Sequence, residues 1–363
     1  MVHGDAFSIF QAGTANTIVS LHNHKGTVKE EGYMEAAYGI VIVGGGICGL
    51  ATALALHRKG IASIVLEKSE TLRADGAAIG IYVNGWRVLE QLGVAAELRE
   101  TANGITAHRN VWQQGNKTTQ VPVRNEFRCL KRKDLIETLA KNIPAGSIRF
   151  GCHIVAIHED PGTHGAVLTS LDGSTIRAKK TFSDDTYHPG ATTDDVSAVK
   201  DLALQKLKEF PTEFADMVRD SEPGSLNVVT RLWYRPPWQV AFGALQKGAV
   251  TVAGDAMHAM GPFIGQGGAA GLEDAVVLAR ALSRAAGGEL CDDDDEKKKM
   301  VQEAIAEYVT ERRWRVAMLS LECFVMGTLL RSKSIVTKLA CVAMLLLLGS
   351  KSLRHTNYDC GHL

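Results

Sequence analysis

The sequence predicts an α/β fold built around a Rossmann-like dinucleotide-binding domain. Two observations carry this. Near the start, a short β-branched apolar run over 39–43 (GIVIV) enters Gly44-Gly45-Gly46-Ile47-Cys48-Gly49 and then a helical stretch over 50–59. Far downstream, a second apolar run over 249–253 (AVTVA) enters Gly254-Asp255, and a second glycine-rich loop, Gly265-Gln266-Gly267-Gly268, opens another helix.

Each piece of the first unit has a physical task. Gly44 permits the tight turn, Gly46 lets the backbone approach a pyrophosphate, and Gly49 lets helix and strand pack closely. The helix N-terminus offers free N–H groups and the positive end of its dipole to phosphate. Gly60 ends the helix as its cap, a second strand follows over 61–66, and Glu67 closes it. Glu67 stands 18 residues past Gly49, where an acid accepts hydrogen bonds from ribose hydroxyls. Taken alone, Glu67 is equally a surface residue ending a strand. An acid there suits a ligand without a 2′-phosphate, so FAD or NAD fits better than NADP.

The second unit lacks the GxGxxG spacing and reads as another part of the same cofactor site. Asp255 at a strand end can accept a hydrogen bond from a ribityl hydroxyl. Backbone N–H groups near Gly267 and Gly268 can face the electron-rich edge of a flavin, whose reduced charge a helix dipole stabilises. The alternative is a glycine-rich loop before a core helix over 272–285, which carries Glu273 and Asp274 near its start.

Composition bounds the rest. The 363 residues suggest about two domains, and 45% hydrophobic with 22% charged residues is enough to bury a core. Lys+Arg and Asp+Glu both number 40, which argues against nucleic-acid binding through a global positive field. The 7 Cys are scattered without zinc spacing, so no metal is expected, and free thiols fit a reducing, cytoplasmic setting. Residues 1–33 are polar and aperiodic and read as a poorly ordered extension, with Met34 as an alternative start. The run DDDDEKKK over 292–299 reads as a solvated loop or helix start. The apolar stretch 339–348 (LACVAMLLLL), flanked by Lys338 and Lys351, is either a buried helix or a peripheral membrane anchor.

Together the GxGxxG…Glu start, Gly254-Asp255-Ala256-Met257-His258, and Gly265-Gln266-Gly267-Gly268 with Leu272-Glu273-Asp274-Ala275 resemble the FAD-dependent aromatic-hydroxylase-like monooxygenases. The likeness is greatest to the plant members similar to FAD-dependent urate hydroxylase and zeaxanthin epoxidase. Residues 77–80, Asn84-Gly85-Trp86, Arg132 within CLKRKDLIETL (129–139) and the tail Tyr358-Asp359-Cys360-Gly361 extend it. The resemblance implies a glutathione-reductase-type FAD domain with a separate α+β substrate domain. It places Gly44, Gly46 and Gly49 at the pyrophosphate, Glu67 and Lys68 at the adenosine side, Arg132 on the cofactor, Asp255 at the ribityl chain, and Gly265, Gly267 and Gly268 at the flavin ring. It implies NAD(P)H as electron donor, dioxygen as co-substrate, and a flavin 4a-hydroperoxide that hydroxylates or epoxidises a small apolar or aromatic substrate. His258 follows the family pattern and reads as structural, and no catalytic residue is assigned.

The chain departs from the family in two places. Relatives commonly have an acid where Phe263 stands. They also carry, after the hairpin at Asp172-Gly173, a strand running into a second Asp-Gly segment and several substrate-domain strands. Here the chain passes from Lys180 into a polar, turn-rich stretch over 181–193 and a helix over 194–210. The expected layout is therefore an extension (1–33), the first part of the FAD domain (34–180), a truncated remnant of the substrate domain (181–246), the second part of the FAD domain (247–330), and a C-terminal helix and tail (331–363). Trp233, Tyr234, Trp238 and Phe242 either line a pocket or are ordinary core aromatics. Three readings follow: a monooxygenase impaired by the missing block, a non-catalytic FAD-binding relative, or a flavin-dependent reductase of the same fold.

Overall fold

A computed structural model describes residues 37–72, 78–111, 118–159, 165–183, 196–208, 210–221, 234–286, 294–349 and 355–363. The extension over 1–33, Met34, Trp233 and residues 184–193 of the polar stretch lie outside them.

β1 (Ala37–Val43) passes through the glycine turn into α1 (Ile47–Arg58) and returns as β2 (Ser63–Leu66). β3 (Ala78–Tyr82), α2 (Val83–Gln91), α3 (Ala95–Thr101) and β4 (Asn103–Gly104) follow. A hairpin of β5 (Ala107–Val111) and β6 (Thr118–Pro122) precedes β7 (Phe127–Lys131) and α4 (Arg132–Lys141). Then come β8 (Ile148–Arg149), β9 (Ile154–Glu159), β10 (Ala166–Ser170) and β11 (Thr175–Ser183). The remainder holds α5 (Val196–Lys206), α6 (Thr212–Arg219), α7 (Pro237–Phe242), β12 (Gln246–Lys247), β13 (Val250–Val252) and the single turn α8 (Asp255–His258). Three helices close the chain: α9 (Gly267–Ala286), α10 (Asp294–Arg331) and α11 (Ile335–Gly349).

The main sheet runs β12-β13-β11-β1-β2-β8, and every neighbouring pair except β12–β13 is parallel. A central parallel strand is buried on both faces, and β1 has the residues for it. Ile40 and Ile42 enter the larger core with α1 and α9. Val41 and Val43 enter a smaller one with Ile64, Leu66, Ala166, Leu168, Ile176 and Ala178. The strands β9 and β10, joined to the sheet through β11, thus help cover the face that the helices leave open.

Several boundaries differ from the sequence reading, each for a local reason. Residues 181–183 are not part of a polar loop. They finish β11, in register with Val41–Val43 on one side and Val250–Val252 on the other, where ladder hydrogen bonds outweigh their polarity. The helix read over 194–210 is only α5, because Pro211 ends the segment and starts α6. The α9 helix begins at Gly267 rather than Leu272, so both glycines lie in its first turn. The hairpin between β10 and β11 turns at Asp172-Gly173 and is closed by the Ser170 N–H donating to Ser174 O, with Gly173 at φ 84° and the Asp172 carboxylate accepting the Ser174 N–H. The DDDDEKKK run opens α10 at Asp294.

Close packing at Gly49 decides how α1 sits on β1. A Cβ at this position would lie 2.1 Å from the Gly44 carbonyl oxygen. The Gly44 oxygen is backbone and cannot yield cheaply. Gly49→Ala is therefore expected to lower stability by about 1–3 kcal/mol, as overpacking typically does. A urea denaturation midpoint equal to wild type would contradict this packing.

Candidate cofactor site

The first glycine turn is braced from below. Gly44 takes φ 108°, open to glycine and strained for other residues, and its N–H donates to Leu66 O at 2.7 Å. Glu67 is buried, and its carboxylate accepts the Gly45 N–H at 2.7 Å and the Ser69 N–H at 2.9 Å. Glu67 thus ties the end of β2 to the turn. No side-chain hydrogen bond caps the N-terminus of α1, where Gly46 is the capping residue, so the positive end of the helix dipole faces the turn.

The second turn comes to the same place. α9 packs along α1. A Cβ at Gly271 would lie 3.2 Å from Cys48 Cβ and 3.8 Å from Gly254 Cα. One glycine of α9 therefore lets the start of α1 and the Gly254-Asp255 turn converge. Gly254 takes φ 57°, and Asp255 is exposed at the first position of α8. Gly265 is left-handed at φ 62°, and Tyr82 Cε2 is 3.8 Å from where its Cβ would be. A Cβ at Gly268 would meet Ile79 Cδ1 at 2.7 Å, so β3 abuts the start of α9. Arg132 leaves the partner strand of β3 at this edge, since Leu130 pairs with Ile79 and Lys131 with Ala78. Lys68 is half-buried beside Glu67.

A buried charge network, which the sequence reading passed over, holds the second turn. Asp274 Oδ2 accepts the Gly254 N–H at 2.8 Å and the His258 Nε2 proton at 2.7 Å, while Oδ1 accepts Arg312 Nε at 2.6 Å. Glu273 receives Arg312 Nη2 at 2.8 Å, Arg315 Nη2 at 2.9 Å and Asn84 Nδ2 at 2.7 Å. Glu273, Asp274, Arg312 and His258 are fully buried. Burial alone would raise the Asp274 carboxyl, but the charges of His258 and Arg312 outweigh it and hold the group at about 2. Glu273 is likewise lowered, with Arg312 and Arg315 overcoming its desolvation. His258 is thereby a structural residue, as its place in the sequence implied. Arg312 is 38 residues from Asp274 in a helix with no local motif, so nothing near it in the sequence points to this role.

The same region has polar groups that nothing among the described residues meets. Among the described residues, Gln266 Nε2 and Asn84 Oδ1 are buried without a hydrogen-bond partner, although Asn84 Nδ2 donates to Gln266 Oε1 at 2.9 Å. Buried amide groups of this kind call for a polar neighbour. With a glycine-lined cradle at the positive end of the α1 dipole, the residues fit a dinucleotide carrying a polar ring system.

Phe263 has a structural counterpart across the loop. A Cβ at Gly327 of α10 would meet its ring at 2.8 Å, so the ring lies in a notch that only a glycine leaves open. The tail packs against this assembly. Asn84 N–H donates to Thr356 O, Arg315 to His355 O and Arg280 to Cys360 O, and Tyr358 lies under the Arg315 guanidinium at 4.3 Å. The aromatic residues of the 234–242 stretch are not core. Tyr234, Trp238 and Phe242 are exposed and rest edge-on or tilted against Phe324 and Trp314 of α10.

Because the folded-state pKa of Asp274 is depressed, its charge stabilises the protein above the unfolded carboxyl pKa of about 4. That contribution is lost as pH falls from there toward 2. Asp274→Asn should cost about 3 kcal/mol at pH 7 by leaving Arg312 undercompensated. The gap between variant and wild type should narrow between pH 4 and 2. Urea midpoints across this range test it, and a pH-independent gap would refute the assignment.

Both the sequence and the fold have counterparts among known proteins. A family model described as FAD binding domain matches residues 37–181 and 235–311. Monooxygenase 1 of Arabidopsis thaliana is 38% identical over 397 residues, covering 90% of this chain and 99% of that protein. The 3-hydroxybenzoate 6-hydroxylase 1 of Aquipseudomonas alcaligenes is 28% identical over 320 residues, covering 68% of this chain and 80% of that one. Among solved structures, Klebsiella pneumoniae HpxO complexed with FAD and uric acid superposes with a TM-score of 0.65 at 20% identity, covering 89% of this chain and 95% of that one. At that identity the likeness is one of fold.

Proposed function

The chain belongs to the FAD-dependent monooxygenases, and we propose from that premise that it hydroxylates or epoxidises a small apolar or aromatic molecule with dioxygen and NADH or NADPH. The observation that carries the reading is the convergence of the Gly44–Gly49 turn with the Gly254-Asp255 turn on Gly271. It gives one extended cofactor two anchoring ends. The substrate class is supported by the names of two relatives, which refer to a hydroxybenzoate and to uric acid, both small ring compounds.

In this reading Gly44, Gly46 and Gly49 admit the pyrophosphate to the α1 N-terminus, where N–H groups and the helix dipole bind it. Glu67 and Lys68 serve the adenosine ribose side, with Glu67 also bracing the turn it faces. Asp255 accepts from the ribityl hydroxyls, Arg132 contacts the cofactor from the β7–α4 edge, and Gly265, Gly267 and Gly268 lie along the ring. When bound, FAD supplies the hydride acceptor and the dioxygen chemistry. The protein's contribution is orientation and exclusion of water, so no acid–base pair is required of its side chains.

The substrate domain is short. The alignment with Monooxygenase 1 is 397 residues long but takes in 90% of the 363 residues here, about 327, leaving about 70 of the relative's residues without counterpart. In keeping with this, β5 and β6 form a two-stranded sheet of their own among the described residues. We therefore read the FAD domain, of glutathione-reductase type, as running past the expected breaks at 180 and 247, to Ser183 on one side and from 235 on the other, the stretch between as a truncated remnant of the substrate domain, and the pocket as incomplete. This gap also favours a second reading, a relative that binds FAD without turnover. We further read the protein as cytoplasmic, with peripheral membrane contact through 339–348.

The test is to supply purified holoprotein with NADH or NADPH, a panel of small aromatic compounds and isotope-labelled dioxygen. Slow nicotinamide oxidation with label in a product is the expected result. Bound FAD with no oxidation above blank and no labelled product would overturn the catalytic reading in favour of the non-catalytic one.

A further inference from the structure

We infer that α11 is a docking helix that lies in the plane of an anionic bilayer surface, a proposal that rests on the reading of peripheral contact through 339–348 and not on catalysis. The helix packs on α10, and its more buried positions, Thr337, Cys341 and Leu345, recur every fourth residue as a single narrow stripe. The rest is apolar and open. Ile335, Val336, Leu339, Leu346 and Leu347 are each at least 64% exposed. A helix of the core would bury these side chains, so this is not the buried helix that 339–348 also allowed. Nor can it cross a bilayer. Fifteen residues reach about 22 Å against a hydrocarbon core of about 30 Å, and no described helix is long and apolar enough to span one. A short helix with an apolar face and cationic flanks suits the interface between headgroups and acyl chains.

The charge around it selects the lipid. From 323 to 358 the chain has no Asp or Glu, yet it carries Arg331, Lys333, Lys338, Lys351 and Arg354. The whole chain has a formal net charge of +0, so this positive stretch is local. Arg331, Lys333 and Lys338 are exposed at the N-terminal end of α11. Anionic headgroups would neutralise such cations at the depth where the leucines enter the acyl region. A second copy of the chain is the weaker occupant. Cations flank both ends of the apolar helix, so parallel and antiparallel pairings alike would bring positive charge against positive charge.

The test uses the full-length holoprotein in co-sedimentation with two kinds of vesicle, phosphatidylcholine alone and phosphatidylcholine mixed with phosphatidylglycerol. Binding to the mixed vesicles at low salt, release at high salt and little binding to phosphatidylcholine alone are expected. Leu346→Asp with Leu347→Asp should lower binding at least tenfold while leaving flavin content and circular dichroism unchanged. Lys333→Glu with Lys338→Glu should lower it only toward the anionic vesicles. Equal binding to both vesicle types would overturn the lipid assignment, as would no binding to either. A concentration-dependent dimer on gel filtration that the two Asp substitutions abolish would give the face to a second copy instead. None of these readouts needs turnover, so an inactive protein that binds vesicles would refute the catalytic reading alone.

Discussion

The Asp274 carboxylate is the contact on which the geometry of the site depends. Three donors from three places meet on it: the Gly254 N–H, the His258 ring and the Arg312 guanidinium. It sets the backbone turn that presents Asp255, and it fastens that turn to α10, which has no part in either glycine motif. Glu273, one residue earlier, carries the same guanidinium to Asn84 on α2 and so to the strand that meets Gly268. A buried ion pair is usually weak evidence for net stability, because desolvation offsets attraction. Its value here is positional. Two carboxylates and one arginine, all without access to water, tolerate few arrangements, and each arrangement fixes the second glycine turn relative to the first.

What the sequence made legible follows from locality. The β1–turn–α1–β2 unit could be read because its glycines, its helix stop at Gly60 and Glu67 act within a few turns of chain. The downstream turn could be read because Gly254-Asp255 and Gly265–Gly268 stand directly beside a strand and a helix. The network between them could not, since Asn84 and Glu273 are 189 residues apart and Arg312 lies in a run of charges like any exposed helix face. The same limit applies to residues 181–183, whose polarity points to a loop while their neighbours in the sheet make them strand. It applies to α9 as well. Glycines at its start argue against helix by propensity, and packing against Ile79 and Cys48 overrides that.

The two ends of the chain's second half differ in character. Around Gly254 every element is tied down: Tyr308 donates to Val252 O, Arg313 closes the end of α7 through three carbonyls, and the tail crosses Asn84, Arg280 and Arg315. Away from it, apolar surface is open along α11, and α7, though held at its end by Arg313, exposes Trp238 and Phe242 on its outer side. A cofactor site bound by buried charge and helices with uncovered apolar faces fit the two proposals made above, that a block of the substrate domain is missing and that the outer face of α11 meets lipid.

The account stands on the claim that Arg312, acting through Asp274 and Gly254, positions the cofactor. The most direct measurement is the FAD dissociation constant of Arg312→Met by flavin fluorescence, at a urea-free temperature where circular dichroism shows the variant folded. The account predicts FAD binding at least tenfold weaker than wild type. A folded variant that holds FAD as tightly as the wild-type protein would contradict it.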